Sequence, residues 1–171
     1  MKRLWIVALV AASSVTGVIG MPDSAAAAGV FLAAMTGVKE APVCSSTGTG
    51  TFHGTLSADE TSVAYELTYT LEGTVTQAHI HLAQVGVSGG ISVWLCQTPG
   101  NVDPTGLAPT CPDSGTVSGT FTGANVIGPT TQGIAVGEFA ELVRAMRQGF
   151  TYANVHSNIC PSGEVRGQIR P

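Results

Sequence analysis

Apolar and polar residues alternate without a break from Val63 to Leu71, with Val63, Tyr65, Leu67, Tyr69 and Leu71 set against Ala64, Glu66, Thr68 and Thr70. A period of two predicts a half-buried strand, because successive side chains leave a pleated backbone on opposite faces. Shorter runs repeat the pattern over residues 31–35, 51–56, 75–82, 91–95, 116–122, 151–156 and 164–169, and turn formers separate them, among them Glu72-Gly73, Ser88-Gly89-Gly90 and Pro161-Ser162-Gly163. One stretch changes period. Phe139, Leu142, Val143 and Met146 recur at helical spacing, Glu138, Glu141, Arg144 and Arg147 take the other face, and Gly149 stands where a left-handed residue would end the helix. Many short strands with glycine-rich turns predict an all-β sandwich or barrel with one covering α-helix.

The N-terminus reads differently. Lys2 and Arg3 precede an apolar run from Leu4 to Ala12, and Ala25-Ala26-Ala27-Ala28 follows before Gly29. That order of charge, apolar stretch and small residues predicts a signal peptide over 1–28, with cleavage before Gly29, and a single domain over 29–171. A retained transmembrane anchor fits less well, since Ser13, Ser14, Thr16 and Pro22 dilute the stretch before it reaches the roughly 20 residues a span requires. The expected location is secreted, periplasmic or at the cell surface, with no transmembrane segment in the mature chain.

From Gly29 onward there are five basic and ten acidic side chains, a net charge of 5 − 10 = −5, which argues against nucleic acid as a partner. Four cysteines, Cys44, Cys96, Cys111 and Cys160, form an even set in a chain with an export signal, where oxidising surroundings favour disulfides. Three connectivities are open to four cysteines. Cys96 and Cys111 flank one Pro- and Gly-rich loop and would close it, which leaves Cys44 for Cys160. No close Cys pair with a neighbouring His suggests a zinc knuckle.

Strand parity also sorts the polar residues. In 77–82, His79 and His81 oppose Ala78, Ile80 and Leu82; in 152–156, Tyr152, Asn154 and His156 oppose Ala153 and Val155; in 164–169, Glu164, Arg166 and Gln168 oppose Val165 and Ile169. If these strands are neighbours, one face gathers three imidazoles, a carboxylate, a guanidinium and two amides. Such a face can act as a hydrogen-bonded polar network. Alternatively, His79, His81 and His156 make a three-nitrogen platform for Zn or Cu, with His53 as a fourth ligand and Glu164 as the acceptor behind a ring N–H.

The segments Phe31 to Pro42, Ala78-His79-Ile80-His81, Tyr152 to Ser157 and Gly163 to Ile169 resemble, in order, the signatures of the CHRD (chordin) domain family. The resemblance spans almost everything after the apolar N-terminus. It implies an extracellular β-sandwich-like module of poorly defined activity, so the expected fold is an immunoglobulin-like or SOD-like (superoxide-dismutase-like) β-sandwich or barrel. Growth-factor binding is not implied, because chordin's cysteine-rich modules are absent from this sequence. Neither a nucleophile elbow nor a phosphate-binding glycine loop occurs. The expected function is therefore a noncatalytic extracytoplasmic binding or structural module, with an envelope protein or glycan as partner. The alternative is a histidine-based metal-binding protein with redox or hydrolytic activity.

Overall fold

The computed structural model describes residues 29–171, and the expected signal peptide over 1–28 lies outside the described residues. All eight stretches of alternating sequence form strands: β1 (Gly29–Thr36), β2 (Thr49–Leu56), β3 (Ser62–Thr70), β4 (Val75–Leu82), β5 (Gly90–Cys96), β6 (Gly115–Thr122), β7 (Thr151–Ser157) and β8 (Val165–Gln168). They build one eight-stranded sheet in the order β5-β4-β7-β8-β1-β2-β3-β6, and every named strand pair is antiparallel. The sheet curls until its two edge strands approach, and Tyr65 Oη in β3 donates to Leu95 O in β5 at 2.6 Å. The fold is all-β, a nearly closed barrel, and the barrel form of the sequence expectation is the one adopted.

The apolar phase of each strand fills the interior. Phe31, Met35, Phe52, Leu67, Ile80, Leu95, Phe121 and Val155 are all buried there. The predicted helix is α1 (Phe139–Arg147), and its buried residues are the four named from spacing, Phe139, Leu142, Val143 and Met146. Phe139 meets Phe121 of β6 with ring centroids 6.1 Å apart. On the exposed side Arg147 pairs with Glu60 in the β2–β3 turn at 2.6 Å. Gly149 ends the helix with φ 73°, the left-handed conformation that glycine adopts without a Cβ penalty.

Two disulfides are formed, Cys96–Cys111 and Cys44–Cys160. The first closes the Pro- and Gly-rich loop, which is also organised from within. Buried Asp103 accepts from the backbone N–H groups of Thr105, Leu107 and Ala108, and Gln97 bonds Ala108 O and Asp103 N through its amide. The second disulfide ties the β1–β2 connection to the β7–β8 connection. Among the described residues no helix is long and apolar enough to cross a membrane.

Candidate functional site

β4, β7 and β8 are adjacent in the sheet, so the parity argument applies across one surface. The register makes two rows: His81 opposite Tyr152 and Tyr152 opposite Gln168, then His79 opposite Asn154 and Asn154 opposite Arg166. Gln77 faces His156 at the end of the ladder. Two irregularities in the β4–β5 ladder, one on the N-terminal side of each histidine, bring Trp94 opposite His79. The edge of one ring meets the face of the other there, with centroids 4.3 Å apart.

This face points away from the barrel core, yet it is buried. All seven residues of β7 are buried, and His79, His81 and His156 are 0, 7 and 7 % exposed. Three connections roof it. The β4–β5 connection supplies Gly89 O to His81 Nδ1 at 2.9 Å, and Gln84 O and Val87 O to the Arg166 guanidinium at 3.1 and 2.9 Å. The β7–β8 connection supplies Pro161 O to His156 Nδ1 at 2.9 Å. The β1–β2 connection brings in Glu40 and is held to the β4–β5 connection by Ser88 Oγ donating to Ala41 O at 2.5 Å.

The tautomers follow from these contacts. A backbone carbonyl only accepts, so His81 and His156 each carry their proton on Nδ1 and present a lone pair at Nε2. His79 Nδ1 lies 3.1 Å from His156 Nε2, so His79 donates through Nδ1 and its own Nε2 is a lone pair too. Both His79 Nε2 and His81 Nε2 are buried without a hydrogen-bond partner. One ring nitrogen from each of the three residues lies within 4.8 Å of those of the other two.

Electrostatics favours neutral rings. Burial, reinforced by the other two imidazoles, pushes His79 down to about 2; burial likewise takes His81 down to about 4 and lowers His156. Arg166 is buried, stacks on Tyr152 at 3.4 Å from the ring centroid, and Tyr152 stacks in turn on His81 with rings 4° from parallel. Glu40 is the carboxyl whose ionisation responds to Arg166. Burial raises it to about 7 against the pull of that guanidinium and of hydrogen bonds from Ala41 and Asn154.

Asn154, Arg166 and the three histidines therefore share one layer, and three other residues read from the sequence do different work. Glu164 is fully buried but holds no histidine. Its side chain precedes β8 and accepts from Ser46 Oγ at 2.7 Å and from the N–H groups of Glu72 and Gly73 at 2.6 and 3.2 Å. Burial would raise its pKa, but these bonds and the Ser157 hydroxyl outweigh that and keep it below the usual carboxylate range. The acceptors behind the ring N–H groups are carbonyls instead. Gln168 ties β8 to Ala83 O and Gly149 O at 2.7 and 2.9 Å, at the end of the first row. His53 is no fourth ligand, because it is exposed on β2 between Leu32 and Glu66, on strands remote from β4 and β7.

Glu40 and Trp94 were not singled out from the sequence. Trp94 belongs to a short apolar strand with bulges, where parity is interrupted. Glu40 follows the 3-10 turn Gly37–Lys39, where no periodicity applies.

The family model described as the CHRD domain matches residues 31–169. The chain belongs to the CHRD domain family. The match runs from within β1 to just past β8, so β2 to β8, most of β1 and all three connections of the roof lie within the CHRD domain. Among curated proteins and among solved structures, nothing matches.

Proposed function

We propose that this CHRD protein works outside the cytoplasm and holds one copper or zinc ion on His79, His81 and His156. The observation that carries this reading is the pair of buried, unpartnered lone pairs on His79 Nε2 and His81 Nε2, close to a third imidazole. Leaving buried acceptors unsatisfied costs about 1–3 kcal/mol each, and a bound cation removes that cost. Neutral imidazole is the form that ligates zinc and copper, and a carbonyl behind the far ring nitrogen is the usual support for such a ligand. His81 and His156 have that support from Gly89 O and Pro161 O. For His156 to join, its contact with His79 Nδ1 must yield. The roof favours an ion held for structure or carriage over one presented to a substrate, since catalytic sites keep a coordination position open.

Export is supported by the two disulfides, which persist in oxidising compartments, and by the signal-like residues 1–28.

The second reading is a noncatalytic binding or structural module, with an envelope protein or glycan as partner, in which the same residues only stiffen the roofed layer. The His79–His156 hydrogen bond favours it, because that contact satisfies two ring nitrogens without any ion. Titrating chelator-treated protein with Zn²⁺ and Cu²⁺ against a competing chelator separates the two. One ion per chain is expected, lost in His79→Ala with His81→Ala and kept in His53→Ala. Absence of uptake, or uptake that survives the double substitution, overturns the metal reading; a lowered melting temperature without metal dependence supports the second.

A further inference from the structure

The positive charge of the domain is unevenly used. Of the five Lys and Arg side chains from Gly29 onward, Arg144 is paired with Glu141 and Arg147 with Glu60. The other three, Lys39, Arg166 and Arg170, have no carboxylate ion pair among the described residues, and all three line a single cavity of about 330 Å³. In a domain of net charge −5, converging every unneutralised cation on one concavity is an arrangement that surface chance does not favour.

The cavity lies over the seam between β8 and β1. β8 and β1 are paired at the two ends of their seam, Thr36 with Arg166 and Leu32 with Arg170, and not in between. The outer phase of both strands faces the cavity above this seam, with Leu32 and Ala34 from β1 and Arg166 and Gln168 from β8, and Gly167 lets the strands approach closely beneath it. Ala34 O, unpaired in the ladder, accepts from Lys39 Nζ at 2.6 Å. Val85 projects from the β4–β5 connection on the other side. Leu32 and Val85 are 50 and 67 % exposed, so the walls beside the cations are apolar and open to water.

Each cation has donors to spare. Lys39 has three N–H groups and one protein acceptor; Arg166 has five and meets two carbonyls; Arg170 reaches only Gly149 O, at 3.4 Å. Glu40, the carboxyl that feels Arg166, makes no ion pair with it, and burial raises its pKa to about 7, so it offsets that charge only in part at neutral pH.

We propose that this cavity binds a small organic carboxylate, its anionic head at Lys39, Arg166 and Arg170 and its apolar body against Leu32 and Val85. The volume lies at the low end of small-molecule sites, suited to a short aliphatic or aromatic acid. The site shares Arg166 with the edge of the histidine layer but does not depend on a metal there.

Calorimetric titration of the mature protein at low ionic strength tests this, with hexanoate and benzoate as probes, hexanamide and benzamide as neutral isosteres, and inorganic phosphate as a head without a body. Both carboxylates should bind at least about ten-fold more tightly than their amides and than phosphate. Lys39→Gln with Arg170→Gln, both exposed and so compatible with folding, should weaken carboxylate binding at least about ten-fold, and Arg147→Gln should leave it unchanged. Equal binding of amides or of phosphate, indifference to the double substitution, or no binding of either carboxylate overturns the proposal.

Discussion

Acidification sets two kinds of buried group in the roofed layer against each other. In chelator-treated protein His79 and His81 stay neutral when folded, at about 2 and about 4, whereas in the unfolded chain they titrate near 6.5. Their contribution to stability is present above 6.5 and is lost as the pH falls toward those folded values. Between pH 7 and pH 5 the linkage is about 2 kcal/mol per histidine, about 4 for the two, and His156 acts in the same direction. Glu40 has the opposite sign, because its folded pKa is raised from 4.5 to about 7. Its contribution is full below 4.5 and is lost as the pH rises through 7, so the same interval returns about 2 kcal/mol. The wild type should therefore lose at least about 2 kcal/mol on going from pH 7 to pH 5. Glu40→Gln keeps the size and polarity of the side chain but removes the offset. It should lose at least about 4 kcal/mol over that interval and exceed the wild type by about 3 kcal/mol at pH 8. Urea unfolding across this pH range, with the midpoint compared at constant m-value, reads both effects. A Glu40→Gln protein less stable than the wild type at pH 8, or a wild type that gains stability on acidification, would refute the reasoning.

Replacing Cys96 and Cys111 together by Ala reopens a loop with a sequence separation of 15 and should cost about 3 kcal/mol, measured by chemical denaturation with the other disulfide intact. Gly163→Ala should cost about 2–4 kcal/mol by the same assay, because φ there is 132° and a Cβ would run into the Glu40 carboxylate. Leu142→Ala, which empties a fully buried position on α1, should cost about 3 kcal/mol, and a loss below about 1 kcal/mol would mean that the helix does not pack as described.

The strands were legible because one side of each faces a dry interior, and a period of two is the only way a strand can meet that demand. Val63 to Thr70 shows it most clearly, with every second residue buried. The helix was legible for the same reason at a different period. The histidine layer was half legible: parity put His79, His81, Asn154, His156 and Arg166 on one face, but parity says nothing of what covers a face. Three connections roof these residues and β7 is buried on both sides, and nothing in the alternation names those connections. Glu164 shows the limit of parity at a strand end. Its neighbours satisfy it through a turn between β3 and β4 that no pattern within residues 164–169 could announce. Glu40 and the carbonyls of Gly89 and Pro161 belong to connections, where contacts are fixed by tertiary folding alone.

The central claim is that three imidazoles form a cation site, and X-ray absorption on protein loaded with one equivalent of zinc or copper tests it most directly. The account predicts an inner shell dominated by imidazole nitrogen at about 2.0–2.1 Å, diminished when His79 and His81 are replaced by Ala. An inner shell of oxygen alone, or a spectrum identical in the substituted protein, would contradict it.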